Sequence, residues 1–280
     1  MEMTHLSGLY ITERDCGMVK RFTMSSKEKR IGAPYIRINE DYYIDNQGIL
    51  REFNHSEVKG DNLKSVKRSF TRLRDIINSN IKDPENVLFV TFTYDPKRLT
   101  ESLNLDKVGR DMNRAFRKMK KSMPKFERIY TVERQGNGNW HQHCLFFFEC
   151  PAPYIPQELL ESWWEHGWVK ISKRFDDKTI HNIGAYVCAD LTYGEDRNEH
   201  GKIKNERLMN YPSGAHLYRC SRGIKRPEIR QIEPMEYVDY VNQKGVHLIY
   251  SKDTLKDIAG AKYRFRYEDW FDEDDAVASC

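Results

Sequence analysis

Apolar residues recur along the chain with two different periods, and the switches between them mark out the elements. From Leu63 onward, Leu63, Val66, Phe70, Leu73 and Ile77 step by three and four, which puts one buried stripe on a helix. Lys64, Lys67, Arg68, Arg72 and Arg74 fall on its other side, and Pro84 closes the section. Residues 87–94 are β-branched and aromatic and end in Asp95-Pro96, which predicts a central strand. A second helix follows, with Val108, Met112, Ala115, Phe116, Met119 and Met123 on one face and Pro124 as its stop. Residues 129–133 and 140–149 predict two strands joined by a Gly/Asn turn, a hairpin.

Past the hairpin, three prolines at 151, 153 and 156 mark a loop. The pattern then predicts a helix over 159–165, a short strand over 168–172 and a helix over 178–192, followed by a polar loop over 194–214. Residues 217–267 alternate aromatic and polar positions, as strands with one short helix would. The first 60 residues offer only a strand-like stretch at 35–38, the run Tyr42-Tyr43-Ile44 and two turn signals. The chain is thus divided into an N-terminal segment of unclear role (1–60), a core (61–195), an extension packing on or prolonging that core (196–267) and an acidic tail (268–280).

Of the 280 residues, 39% are hydrophobic and 31% charged, which suffices for a core and describes a globular protein. No run approaches the ~20 apolar residues that cross a bilayer, so no membrane association is expected. The start, Met-Glu-Met-Thr-His, lacks a charged-then-apolar leader. The cysteines at 16, 144, 150, 188, 220 and 280 form no CxxC pair, which argues against a zinc cluster or a disulfide framework. A cytoplasmic location is expected. Charge changes the picture more. Residues 268–280 hold six of the 42 acids and none of the 46 Lys and Arg, leaving +10 on residues 1–267. A basic body with an acidic tail suits a nucleic-acid binder.

Two patterns carry candidate chemistry. In His141-Gln142-His143, alternation along a strand puts both imidazoles on one face, where they can grip one divalent ion. Two histidines leave most of the coordination sphere open, and Glu133 is the best further ligand, because the hairpin turn folds it back beside His141. Such a set suits Mg²⁺ or Mn²⁺ acting on a phosphate. In residues 180–193, Ile183, Tyr186, Asp190 and Tyr193 share a helical face, while Val187 and Leu191 form an apolar line beside it. Tyr186 can act as a covalent nucleophile toward phosphorus if charge on the phosphate is stabilised.

In order and spacing, three stretches resemble the motifs of HUH replication initiators: Thr91-Phe92-Thr93-Tyr94-Asp95-Pro96, then Glu133 eight residues before His141-Gln142-His143, then Ile183-Gly184-Ala185-Tyr186-Val187. The closest group is the phage and plasmid replication-associated proteins of the filamentous-phage gene II type. The likeness takes in Glu165-His166-Gly167-Trp168 and residues 218–227, and spans roughly 62–228. It implies an α+β fold, with a central antiparallel five-stranded sheet flanked by helices and the histidine strand in the middle. Glu133, His141 and His143 would bind the metal, Mn²⁺ or Mg²⁺, and Tyr186 would be the nucleophile. Asp190 would assist the metal or a proton transfer, and Tyr193 would be a second nucleophile. The implied activity is nicking and rejoining of single-stranded DNA at an origin hairpin through a 5′-phosphotyrosine, with a host helicase and polymerase as partners. Lys64, Lys67, Arg68, Arg114, Arg117, Lys118, Lys170, Lys173, Arg222 and Lys225 would contact phosphates.

The chain departs from the family pattern twice. Gln142 stands where the family carries an apolar residue, on the side facing away from the metal. Ala189 stands where the family commonly has Lys, so Lys170 or Lys173 would have to replace that charge. Relaxases and single-tyrosine transposases share the chemistry, and Ala189 keeps open a non-catalytic origin-binding protein. A metal-dependent hydrolase that leaves no protein on the DNA is the third alternative.

Overall fold

A computed structural model describes residues 9–26, 35–45, 47–53, 63–98, 104–134, 139–172, 215–258 and 260–274. Strands β1 (Tyr10–Cys16), β2 (Val19–Ser25), β3 (Tyr35–Arg37), β4 (Tyr42–Asp45) and β5 (Leu50–Glu52) precede helix α1 (Leu63–Asn78). Then come β6 (Val87–Tyr94), α2 (Leu105–Ser122), β7 (Phe126–Arg134), β8 (Trp140–Phe148), α3 (Gln157–Trp164) and β9 (Gly167–Ile171). After residue 214 the chain adds β10 (Tyr218–Cys220), β11 (Glu228–Ile232), α4 (Pro234–Val241), β12 (Val246–Ile258) and β13 (Ala261–Asp272). No helix among the described residues is long and apolar enough to cross a membrane.

The expected fold class holds. A five-stranded antiparallel sheet runs β10-β7-β8-β6-β9, with the histidine strand β8 in the middle. The alternation in Val87–Phe92 and Cys144–Phe148 puts apolar side chains on both faces, so both faces must be covered. α2 and α3 cover one of them: Val108, Met112, Phe116 and Met119 pack with Val90, Phe92, Tyr130, Cys144 and Phe146. α1 covers part of the other, where Leu73, Ile76 and Ile77 meet Phe89, Ile129, Leu145 and Phe147. Asn104 caps α2, its side chain accepting from the Asp106 and Lys107 amides.

The other side of α1 meets a second antiparallel sheet, ordered β11-β1-β2-β13-β12. Val19 and Phe271 of that sheet, with Met18 of the β1–β2 turn, join the same cluster as Leu73 and Ile77. From the inner strands β2 and β13 a buried ion network ties helix to sheet. The Arg21 guanidinium pairs with Asp75 and, through Nε at 2.7 Å, with Asp269. Burial pushes the Asp75 carboxyl above its ordinary range against the pull of Arg21 and Arg14. The remaining strands, β3-β4-β5, form a small sheet of their own.

Two readings of the chain termini change. The first 60 residues hold β1 and β2, which the expectation of a segment of unclear role did not contain. They pair with β11 and β13, so the N-terminal segment and the extension build one sheet together. Residues 268–272, assigned above to the acidic tail, are the end of β13. Glu268, Asp269 and Asp272 are buried there; basic and hydroxyl partners satisfy the first two, and the Asp274 amide donates to Asp272. Tyr237 Oη donates to Glu268 at 2.6 Å, and Arg266 Nε donates to its other oxygen at 2.6 Å.

The cysteine environments make a direct check possible. Cys16 and Cys144 are buried, and burial above all pushes the Cys16 thiol up to about 12 and raises Cys144 as well, whereas Cys150 is exposed. Native protein treated with iodoacetamide near pH 8 should label Cys150, but Cys16 and Cys144 only after denaturant is added. Peptide mass mapping reads the order, and early labelling of Cys16 would contradict the packing.

Candidate active site

β8 enters the sheet at Trp140, and the residue before it fastens it there. Asn139 Nδ2 donates to the Tyr94 carbonyl at 2.8 Å, and its Oδ1 accepts from the Trp140 amide. The start of β8 is thereby held against the end of β6. Cross-strand register then lays two rows of side chains across the face that carries the histidines. One row runs Trp168, Thr93, His141, Glu133, and the next runs Lys170, Thr91, His143, Thr131, Tyr218. With strands ~4.8 Å apart, Lys170 and Tyr218 stand about 19 Å from each other and Trp168 about 10 Å from His141.

Glu133, His141 and His143 are thus brought to one face, as their spacing predicts. His143 Nε2 lies 3.1 Å from Glu133 Oε2, and its Nδ1 lies 3.2 Å from Thr91 Oγ1. A carboxylate only accepts, so Nε2–H donates to Glu133 and Nδ1 accepts from the Thr91 hydroxyl. The ring stacks on Phe89 at 5.9 Å, and the two imidazole centroids are 6.3 Å apart. Among the described residues no three His, Cys, Asp or Glu side chains converge closely enough to cage a cation as they stand. The donor types, two imidazoles and a carboxylate, would nevertheless suit a divalent cation such as Mg²⁺ or Mn²⁺ with open positions for a phosphate oxygen. Thr131 Oγ1 beside them is buried with no hydrogen-bond partner among the described residues, which leaves polar capacity at the site.

Gln142 points to the opposite face, as alternation requires, and is fully buried under the α2 side. Neither of its amide atoms has a hydrogen-bond partner among the described residues. An unsatisfied buried amide costs about 1–3 kcal/mol. Gln142→Leu, which restores an apolar residue of similar volume, should therefore raise the melting temperature by several degrees. A fall in a thermal unfolding scan would show that the amide has a partner after all.

The motif Glu165-His166-Gly167-Trp168 acquires a physical reading. Glu165 ends α3 in the left-handed conformation, with φ 63°. At Gly167 φ is 156°, and a Cβ would meet the Thr93 carbonyl oxygen at 2.3 Å, so only glycine lets β9 pair with the end of β6. His166 turns to the back face, where Tyr94 Oη and Lys107 Nζ both donate to Asp111 at 2.9 and 2.8 Å. Burial lowers the His166 pKa even though Asp111 stands 3.6 Å away. Trp168 turns to the histidine face and is 54% exposed there, although apolar side chains of its size are usually covered. Sequence reasoning overlooked Trp168 as a site residue; the signal was its place two residues before Lys170 on a short strand.

The other candidates scatter. Lys170 stands in the His143 row, and Lys67 and Arg68 are exposed on α1. Arg222 lines a cleft of about 640 Å³ between α1 and β10 together with Arg72, Arg226 and His216. Tyr218 also lines it and ends the His143 row, so this basic cleft adjoins the site. Lys225 is exposed beside Asn80, just past the far end of α1. Arg114, Arg117 and Lys118 belong to α2 and lie behind the sheet; Lys118 pairs with Glu165. Tyr186, Asp190, Tyr193, Ala189 and Lys173, with the helix expected over 178–192, lie outside the described residues, as does the Lys64 side chain.

No curated protein and no solved structure matches the chain. Residues 87–206, which contain β6 through β9 and the histidine pair, match the family model of the replication-associated protein of the ORF2 and gene II protein type, and this likeness supports a replication role for the chain.

Proposed function

We propose that the chain is a rolling-circle replication initiator of the HUH type, a metal-dependent enzyme that nicks and rejoins single-stranded DNA. The observation that carries this reading is the meeting of Glu133, His141 and His143 on one open face of the central sheet, inside the span similar to replication-associated proteins. Those three residues would hold Mg²⁺ or Mn²⁺. When bound, the cation supplies charge stabilisation at the phosphate.

The rest of the chemistry belongs to the chain. A single strand lies over the two rows, one base stacking on the exposed face of Trp168 and a backbone phosphate taking the Lys170 ammonium. Lys170 thereby replaces the charge missing at Ala189. Thr91 holds the His143 ring so that Nε2 faces the phosphate side. The Tyr186 oxygen attacks phosphorus, the P–O3′ bond breaks as the P–O(Tyr) bond forms, and the phenolic proton passes to the departing 3′-oxygen, with Asp190 assisting. The 5′-phosphotyrosine conserves the bond energy, so no nucleotide hydrolysis is needed. The free 3′-hydroxyl primes a host polymerase, aided by a host helicase. A later attack by a 3′-hydroxyl on the phosphotyrosine rejoins the strand; Tyr193 would serve as a second nucleophile.

The test incubates the full chain with a randomised single-stranded DNA pool and Mn²⁺ and resolves the products on a denaturing gel. A protein-linked DNA band, present in the wild type and lost in Tyr186→Phe, is the expected result. Binding without cleavage would instead favour a non-catalytic DNA-binding protein, and free 5′-phosphate ends a hydrolase.

A further inference from the structure

Helix α2 presents a charged stripe that the histidine site does not use. Its exposed positions are Asp106, Arg110, Asn113, Arg114, Arg117, Lys120, Lys121 and Ser122, with no aromatic or aliphatic side chain among them. Arg110, Arg114, Arg117 and Lys120 recur at helical spacing along about 15 Å of one face. They line a shallow concavity of about 500 Å³ with Arg128 of β7, whose guanidinium carbon lies 4.0 Å above the Phe116 ring. Arg128 Nε is buried with no hydrogen-bond partner among the described residues. None of the five cations has a carboxylate within ion-pair distance among the described residues, although α2 itself carries Asp106 and Asp111. Asp111 is drawn inward, to Tyr94 and Lys107. Glu165 and Glu127 act on Arg114 and Arg128 only from beyond ion-pair distance, so the five cations around one concavity repel one another unless an anion lies between them.

The stripe is on the α2 face of the sheet, and the histidines, Trp168 and Lys170 are on the other. It therefore cannot hold the phosphate being cut. We infer that it is a second DNA contact that grips the backbone of a duplex flanking the single-stranded region. The two faces differ in the way the two forms of DNA differ. A single strand offers base faces, and Trp168 on the histidine face is a stacking platform. A duplex offers only phosphates on its outside, and the α2 stripe has charge but nothing on which a base could stack. This rests on reading the chain as a DNA-handling protein, but it needs no cleavage to be tested.

The full chain and its triple variant Arg110→Gln/Arg114→Gln/Arg117→Gln are titrated by fluorescence anisotropy with a random-sequence duplex and with one of its strands, at several salt concentrations. A second triple, Lys252→Gln/Lys262→Gln/Arg264→Gln on exposed positions of the β12–β13 hairpin, makes the same charge change elsewhere. The α2 triple should bind the duplex at least roughly tenfold more weakly. Its plot of log affinity against log salt should be shallower by about 3, near 0.9 for each lost phosphate contact. The single strand should lose much less, and the hairpin triple should keep the wild-type slope. Equal slopes for the two triples, equal losses on duplex and single strand, or no duplex binding by the wild type would each overturn the inference. Absent nicking with intact, α2-dependent duplex binding would retire the nicking mechanism alone.

Discussion

His143→Ala is expected to reduce the yield of DNA-linked protein by roughly 10²–10³-fold, the usual cost of losing one preorganised group at a phosphate or oxyanion site. The ring touches Thr91 through Nδ1 and Glu133 through Nε2, so on the proposed reading one substitution removes a metal donor together with a hydrogen bond to Glu133. His141→Ala should cost a similar factor, because it faces Glu133 across the hairpin in the same row. Folding should survive both changes: a few hydrogen bonds at about 1 kcal/mol each shift the melting temperature by only a few degrees. Calorimetric titration with Mn²⁺ separates the causes, since weaker binding by His143→Ala and Glu133→Gln is expected if these side chains are ligands. Wild-type adduct yield in His143→Ala would end the proposed assignment.

The largest stability effect is expected far from that site. Arg21→Met leaves Asp75 and Asp269, each with a side chain under 5% exposed, without their shared guanidinium. Removing one partner of a buried ion pair costs about 3–5 kcal/mol, because the remaining charge is stranded away from water. Arg14 and Arg74 stand 3.7–4.0 Å from the same carboxylates and take up part of the loss, so the lower end of that range is expected. Chemical denaturation of Arg21→Met against the triple Arg21→Met/Asp75→Asn/Asp269→Asn reads the effect. The triple should regain most of the stability, since no charge is then stranded. A single variant as stable as the wild type would show that the network is solvated and that α1 is held to the second sheet by apolar contact alone.

These expectations draw unequally on the sequence. The half that carries the histidine pair was legible because its signals are local. Apolar spacing announced α1, α2 and β6, and a two-residue alternation fixed which side of β8 the histidines take, so that Glu133 opposite His141 followed from one hairpin. Trp168 and Gln142 were visible as residues but not as a platform and a buried orphan amide. Exposure at one and burial at the other depend on what lies over each face. The second sheet was illegible for a related reason. β1 and β2 pair with β11 and β13 more than 200 residues away, and no local period announces such a pairing. Contacts outside the local sequence also decide residues 268–272, whose acids read as a tail until Arg21 and Tyr237 are brought to them.

By itself, then, the order of residues determined the helices and strands from α1 to β9, and which side chains within a hairpin share a face, because φ/ψ preference and apolar period act over a few neighbours. The tertiary structure alone decided that α1 is held between two sheets, that the basic stripe of α2 lies behind the histidines rather than beside them, and that Glu268, Asp269 and Asp272 are buried. Each of those outcomes is set by contacts between distant segments, whose energies no single segment contains.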